Sequence, residues 1–254
     1  MLRTRVIPSL LLSGDGLVKT ERFKNPRYIG DPINAIRIFN EKEVDELVVL
    51  DIGATKSGSI NFDLLGRITK EAFMPLAYGG GITTAEEIQK ILGLGFEKVI
   101  INNSALNDQR LIANAAAVCG SQSIVGCIDV NKTLLGKRVV YRHVEKKNTN
   151  IDPVLWAKEL ETLGAGEILL YSVDRDGTYS GYDLDLIKAV ASKITIPLVA
   201  LGGARGFEDF KAGISSGASA VSAGSAFVFH GPRRAVLITY PARDKLRELD
   251  GLHG

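Results

Sequence analysis

The sequence predicts an α/β fold, a (β/α)8 barrel made of two duplicated half-barrels. Eight short apolar segments alternate with amphipathic ones along the 254 residues, a length that suits one such barrel. Small-residue motifs also recur at a constant offset of 123 positions. Thr-Lys-Ser-Gly at 55–58 returns as Thr-Tyr-Ser-Gly at 178–181, and the Gly-Gly pair at 79–80 returns at 202–203. Asn102 falls on Ser225 at the same offset, so three separate sites indicate one duplication.

The eight predicted strands are short, apolar on both faces and bounded by Gly, Asp or Pro, as expected for strands with helices outside and a packed interior. They cover residues 5–12, 46–51, 75–78, 98–102, 123–129, 167–172, 196–201 and 218–223. The amphipathic segments between them predict helices, including residues 32–43, 84–94, 153–163 and 207–215. Thr84 and Glu87 have the spacing of a capping box, which marks a helix start.

One domain is expected to span residues 1–254, with half-barrels at about 1–120 and 121–254. A doubly wound open sheet and two ordinary domains are the alternatives. Closure is favoured because the repeat is tandem and because both halves place Gly-rich turns after the same ends of their strands.

The composition excludes several classes of function. A net charge of +2 gives no general attraction to nucleic acid or to an anionic membrane. No segment approaches the roughly 18 apolar residues of a membrane span, and the apolar run near the start is interrupted by Pro8 without a signal-peptide cleavage pattern. Cys119 and Cys127 lack metal-ligand spacing and are expected to be reduced, buried thiols of a cytoplasmic protein. The sequence predicts neither a metal nor a cofactor.

Two connections are longer than the rest. Residues 13–30 include Lys19, Lys24 and Arg27, and a connection of this length in a compact domain is usually a functional loop or a lid. Residues 131–150 are rich in Lys and Arg and predict an outlying hairpin at 138–143 with a basic turn at Lys146-Lys147. That hairpin is either a solvated surface feature or one flank of a site for an anionic ligand.

Two sets of small residues follow the carboxyl ends of the strands, where the chemistry of such barrels takes place. The first set is Gly80, Gly81, Asn102 and Asn103, and the second is Asp176, Gly177, Gly202, Gly203, Gly224 and Ser225. Glycines let the backbone approach a ligand closely, and the helix N-termini that follow offer free N–H groups to an anion. The duplicated pair predicts two phosphate sites on opposite sides of the mouth, for a long ligand with a phosphate at each end. The alternative is that these glycines only form tight turns.

Asp129 ends the fifth predicted strand and points into the mouth by strand parity, where a carboxylate can act as a general acid or base. The alternative is an Asp that holds a loop. The equivalent position in the first half is Leu11, which can neither donate nor accept a proton. The three histidines, His143, His230 and His253, are far apart in sequence, and none has a motif partner.

Several segments together resemble the cyclase subunit of imidazole glycerol phosphate synthase (HisF family), from histidine biosynthesis. The resemblance covers nearly the whole chain and is carried by DELVVLDI at 45–52, YGGGI at 78–82, EKVIINNSA at 97–105, GSQSIVGCIDV at 120–130, GAGEILL at 164–170, DRDGTYSGYD at 174–183 and GGA at 202–204. It implies a barrel that receives ammonia from a partner glutaminase (HisH-like) on its bottom face. The ammonia then reacts at the top with a bis-phosphorylated ribonucleotide.

The resemblance also implies roles for single residues. The family uses two catalytic aspartates, at the ends of strands 1 and 5. Asp129 matches the second, Leu11 stands in place of the first, and Lys19 matches a further family position. Tyr171 and Leu201 stand where the family usually has Ser or Thr, which implies a changed or narrowed mouth.

The floor of the barrel keeps the charged ring that gates ammonia entry in the family: Arg5, Glu46, Lys98 and Glu167. Ion-paired plugging of the barrel floor is the alternative role. Ammonia entry is thus retained while half of the catalytic pair is lost. This combination resembles the paralogue branch associated with amidation of surface-polysaccharide (O-antigen type, lipopolysaccharide) sugars, in which a separate sugar amidotransferase is a further partner. Two other functions stay open: a working cyclase that uses Asp129 alone or with Asp15, and a non-catalytic scaffold that binds a phosphorylated metabolite.

Overall fold

The computed structural model describes residues 3–252. In chain order the strands are β1 (Arg5–Ser13), β2 (Gly16–Glu21), β3 (Lys24–Gly30), β4 (Leu47–Asp51), β5 (Leu76–Gly79), β6 (Lys98–Ile101), β7 (Ile124–Lys132), β8 (Arg138–Arg142), β9 (Lys147–Asn148), β10 (Glu167–Ser172), β11 (Leu198–Leu201), β12 (Ala220–Ala223), β13 (Phe229–His230) and β14 (Ala235–Val236). The α-helices are α1 (Pro32–Glu41), α2 (Ile52–Ser57), α3 (Phe62–Glu71), α4 (Ala85–Gly93), α5 (Asn103–Asn107), α6 (Arg110–Cys119), α7 (Pro153–Thr162), α8 (Leu184–Ala191), α9 (Phe207–Ser215), α10 (Ser225–Val228) and α11 (Arg243–Arg247).

Eight parallel strands close into a barrel, which confirms the predicted fold. Around the barrel they run β1, β4, β5, β6, β7, β10, β11 and β12, and β12 pairs with β1 to complete the circle. Their bounds follow the predicted strands closely, and three differ by two residues or more; one of these is the eighth, which starts at Ala220 instead of residue 218. The seventh starts at Leu198, directly after Pro197, which has no N–H to donate to a ladder. The fifth continues past Asp129 to Lys132, because a hairpin partner extends its pairing.

Six of the described α-helices, α1, α2, α3, α4, α7 and α8, begin where a polar side chain accepts from a free backbone N–H group. Asp31 accepts from the backbone N–H of Asn34 at 2.9 Å, and Pro32 follows at the first helical position of α1. The predicted capping box is present at α4, where the side chains of Thr84 and Glu87 each accept from the other's backbone N–H. These caps fix where each helix begins to cover the outside of the barrel.

Side chains alternate along each strand between an inner and an outer core. The outer core fills the space between strands and helices. The inner cluster fills the barrel and consists of Ile7, Val48, Ala77, Ile100, Val125, Cys127, Leu169, Tyr171, Val199, Leu201 and Ala220. On β1 the inward positions are therefore 5, 7, 9 and 11, which run from the floor to the mouth.

Both long connections form hairpins above the mouth. Residues 13–30, expected to be a loop or lid, contain the antiparallel pair β2–β3, and β2 also pairs with the end of β1. Residues 131–150 contain the predicted hairpin, in which β8 pairs with β7 on one side and β9 on the other. Within the span 3–252, no helix is both long enough and apolar enough to cross a membrane.

Candidate functional site

Four charged residues meet at the amino-terminal ends of the strands and form a closed ring. Arg5 ion-pairs with both Glu46 and Glu167. The Lys98 Nζ lies 3.0 Å from both carboxylate oxygens of Glu46 and 2.7 Å from Glu167 Oε2. Each glutamate thus lies between two cations, and the four residues form the charged ring expected from the sequence. Burial acts to raise the pKa of Glu167, but the positive charges of Arg5 and Lys98 outweigh it and lower that pKa.

A cavity of about 670 Å³ opens at the opposite end of the barrel. It lies over the ends of β1 and β4 through β7, and Leu11, Asp129 and the first predicted phosphate set line it. The first-half part of the mouth is therefore open to a ligand.

The glycines of the first set have a conformational reason to be there. Gly80 has φ 134° and Gly81 has φ 70°, both in the region that favours glycine. A Cβ on Gly80 would overlap the backbone carbonyl of Asp51. The turn therefore requires glycine with or without a ligand.

The two asparagines of the first set give a separate indication of binding. In the described part of the chain, both polar side-chain atoms of Asn103 are buried without a hydrogen-bond partner. The Oδ1 atom of Asn102 is also buried without one. An unsatisfied buried polar group costs about 1–3 kcal/mol. A polar ligand in the cavity would offset that cost.

Among the residues described, the second predicted phosphate set does not line the cavity, and two of its members, Gly177 and Gly224, pack against β2 of the β2–β3 hairpin. A Cβ on Gly224 would overlap Lys19 Nζ, and one on Gly177 would lie 2.5 Å from the backbone oxygen of Thr20. Gly203 packs as closely on the backbone of Gly181. Phosphate binding at the second set stays a prediction.

Lys19 is buried on β2, and its Nζ donates to the backbone oxygen of Ser9 at 2.8 Å. Burial lowers the pKa of Lys19 to about 8, although the charge of Asp176 acts to raise it. Asp176 accepts from the hydroxyls of Thr20 at 2.9 Å and Tyr171 at 2.8 Å. The carboxylate of Asp176 is thus occupied in fastening the hairpin to β10.

Asp129 has a partner that the sequence reasoning missed. It is 2% exposed, and its Oδ2 lies 2.8 Å from Nδ1 of His143. No sequence motif links His143 to Asp129, so this partner comes from the tertiary fold, while His253 lies outside the described residues. The signal was available in the register of the hairpin, because Val130 pairs with Val140 and the returning strand brings residue 143 back over the end of β7.

The comparisons with known proteins agree with this geometry. A family model described as "Histidine biosynthesis protein" matches residues 5–232. The chain belongs to the HisF family of histidine biosynthesis proteins. A Pseudomonas aeruginosa protein provisionally named imidazole glycerol phosphate synthase subunit hisF2 is 50% identical over 97% of this chain and 99% of its own.

Two further HisF relatives lie at similar distance. A Leptospira interrogans protein, provisionally named imidazole glycerol phosphate synthase subunit HisF, is 49% identical over 96% of this chain and 97% of its own. An Endomicrobium trichonymphae protein named imidazole glycerol phosphate synthase subunit HisF is 44% identical over 89% of this chain and 88% of its own. This chain is therefore a HisF-like synthase subunit by family.

Proposed function

We propose that this HisF-like chain receives ammonia from a glutaminase partner at its floor and conducts it through the barrel to an acceptor at the mouth. The acceptor is a surface-polysaccharide sugar, amidated with the help of a separate sugar amidotransferase. The observation that carries the proposal is Leu11, which lines the mouth cavity where the family resemblance expects a catalytic aspartate. The floor ring, by contrast, is complete.

The floor ring supports an ammonia entrance better than a purely stabilising plug. Glu46 and Glu167 are 4% and 5% exposed, so both carboxylates have lost most of their water. Desolvation offsets much of the attraction in buried ion pairs, and apolar residues of similar volume often stabilise as well or better. A ring of four charges at the entrance therefore suggests selection for passage of a small polar molecule.

The mouth supports a changed acceptor. Tyr171 and Leu201 both lie in the inner cluster, at positions where the family usually has a hydroxyl. Tyr171 directs its hydroxyl to Asp176 instead of the cavity. Because Leu11 and Tyr171 both line the cavity, the mouth has gained apolar bulk and lost groups that could hold the family's substrate.

A working cyclase of histidine biosynthesis is the second candidate. It is favoured by Asp129 and by the unsatisfied Asn102 and Asn103 in the open cavity. The evidence against this candidate is the position of Asp15, the loop carboxylate that would have to take the place of an aspartate at position 11. Asp15 accepts from Asn61 at 3.4 Å in an exposed position and does not line the cavity among the described residues.

The deciding assay is cyclisation of the bis-phosphorylated ribonucleotide of the histidine pathway by purified protein with excess ammonium salt. We expect no turnover by the natural chain and measurable turnover by Leu11→Asp. One proton-transfer group is typically worth about 10²–10⁴-fold. Turnover by the natural chain at a rate that Leu11→Asp does not improve would place the protein in histidine biosynthesis and refute the proposal.

A further inference from the structure

An imidazole lies at the wall of the mouth cavity, and one of its two nitrogens is hydrogen-bonded to a buried carboxylate. His143 lines the cavity, and its Nδ1 lies 2.8 Å from the buried Oδ2 of Asp129. A carboxylate can only accept a hydrogen bond, so Nδ1 carries the proton and the neutral ring keeps its lone pair on Nε2. Within residues 3–252, Nε2 has no hydrogen-bond partner in the protein.

The surroundings of the ring stabilise its protonated form. Burial acts to lower the pKa of His143, but the hydrogen bond and charge of Asp129, with a smaller effect of Glu145, raise it above 6.5. The Phe23 ring stands edge-on to the imidazole at 6.4 Å. The other polar groups around this cavity include the Cys127 thiol, whose Sγ lies 3.9 Å from Asp129, and the basic side chains Arg22 and Lys24 and the Lys146 ammonium.

We propose that His143 is the catalytic acid–base residue of the mouth and that Asp129 is its positioning residue. The imidazole then supplies a proton carrier that the side chain of Leu11 cannot. This inference rests on the proposed function only in requiring that ammonia reaches the mouth. It goes further by placing chemistry at the mouth itself.

The proposed step is addition of ammonia to the carbonyl carbon of a phosphate-bearing acceptor. The nitrogen lone pair forms the N–C bond, and the C=O π pair moves onto oxygen. The nitrogen, now positively charged, gives one proton to Nε2 of His143, and Asp129 stabilises the imidazolium that results. His143 then returns that proton to the alkoxide oxygen, which leaves a neutral amino alcohol and a neutral imidazole. Gly80, Gly81 and Asn103 line the same cavity and are placed to hold the phosphate group.

The first test is spectroscopic and needs no substrate. Long-range ¹H–¹⁵N spectra of the labelled full-length protein report which ring nitrogen of each histidine is protonated. We expect His143 as the Nδ1–H tautomer, and we expect Asp129→Asn to lower its pKa, whereas exposed His230 serves as the internal reference. An Nε2–H tautomer in the natural chain, or a His143 pKa that Asp129→Asn leaves unchanged, overturns the proposal.

The second test uses ammonium salt and the bis-phosphorylated ribonucleotide as probe acceptor. It is run in the natural chain if that chain turns over, and otherwise in Leu11→Asp. His143→Asn should lower kcat by about 10²–10⁴-fold with KM little changed and remove one limb of the pH profile. His230→Asn, the same exchange on an exposed strand, should leave both unchanged.

The outcomes separate the two proposals. Turnover by the natural chain counts against the proposed function. A kcat that His143→Asn changes by no more than roughly threefold overturns the role of His143, because an acid–base group has a far larger effect. If neither background turns over, the tautomer measurement decides the second question alone.

Discussion

Removing Lys98 tests whether the floor ring acts as one electrostatic unit. The Lys98 Nζ contacts two carboxylates, Glu46 at 3.0 Å and Glu167 at 2.7 Å. At about 3 Å and an effective dielectric constant of about 20, each pair attracts by about 5 kcal/mol before desolvation. Loss of one partner of a buried pair costs about 3–5 kcal/mol. Because the Lys98 side chain is 18% exposed, we expect Lys98→Ala to lower the free energy of unfolding by about 3 kcal/mol, the low end of that range.

The pH dependence of this loss has a defined sign. The folded-state pKa of Glu167 is lowered because Arg5 and Lys98 outweigh the effect of burial. Its carboxylate therefore stabilises the fold above the unfolded pKa of about 4.3, and that contribution is lost as pH falls through the folded pKa. In urea unfolding, the difference between the natural chain and Lys98→Ala should be largest near neutral pH and shrink in acid.

The matched control is Lys158→Ala. Lys158 also ion-pairs with a glutamate, at 2.6 Å from Glu161, but its side chain is 54% exposed. Exposed pairs contribute about 0–1 kcal/mol, so this variant should lose at most about 1 kcal/mol. An equal, small loss in both variants would refute the coupled ring. In the complex with a glutaminase, Lys98→Ala should also uncouple glutamine hydrolysis from the ammonia-consuming product, and unchanged coupling would refute the gate.

Three further predictions follow from the mouth. In thermal unfolding, Gly80→Ala should destabilise the protein by about 3 kcal/mol or more, because φ is 134° and the new Cβ overlaps Asp51. The control is Gly93→Ala, in helix α4 with open space around it, which should be neutral or slightly stabilising. Tyr171→Phe removes one hydrogen bond to Asp176 and should speed amide hydrogen exchange of β2 and β3, whereas unchanged exchange would mean that this bond does not hold the hairpin. Lys19 should titrate at about 8 by ¹³C NMR. Because its folded pKa lies below the unfolded value of about 10.4, the stability relative to Lys19→Met should rise with pH between these two values, and a flat difference would contradict the burial of Lys19.

The barrel was predictable because its strands carry the signal that sequence reading detects best. Segments such as β10, six residues long and buried at every position, are typical of strands covered on both sides. The β2–β3 hairpin gave no such signal, since the first five residues of β3 are exposed and include Pro26. Exposed strands are held by their partners, and here the partner strand is β2, itself anchored by Thr20 on Asp176.

The site was predictable where it depends on one strand and unpredictable where it depends on tertiary contacts. Strand parity placed Asp129 and Leu11 at the mouth, and both line the cavity. The repeat suggested that the two glycine sets are equivalent, but among the described residues only the first lines the mouth cavity, and Lys19 packs against Gly224 of the second. His143 was missed because its partner comes from the hairpin register, which a residue-by-residue reading does not include.

The side chain at position 11 affects the protonation of His143 as well as the supply of a catalytic carboxylate. Leu11, Phe23 and Tyr171 all line the cavity that holds His143 and Asp129, and the Phe23 and Tyr171 rings lie 4.8 Å apart. An apolar wall lowers the local dielectric constant, which strengthens the attraction between an imidazolium and its carboxylate. A second carboxylate in the same cavity would favour the charged imidazolium further and leave less neutral Nε2 to accept a proton. Leu11→Asp should therefore raise the pKa of His143 above that of the natural chain. An unchanged or lowered pKa would show that a charge at position 11 does not stabilise the imidazolium.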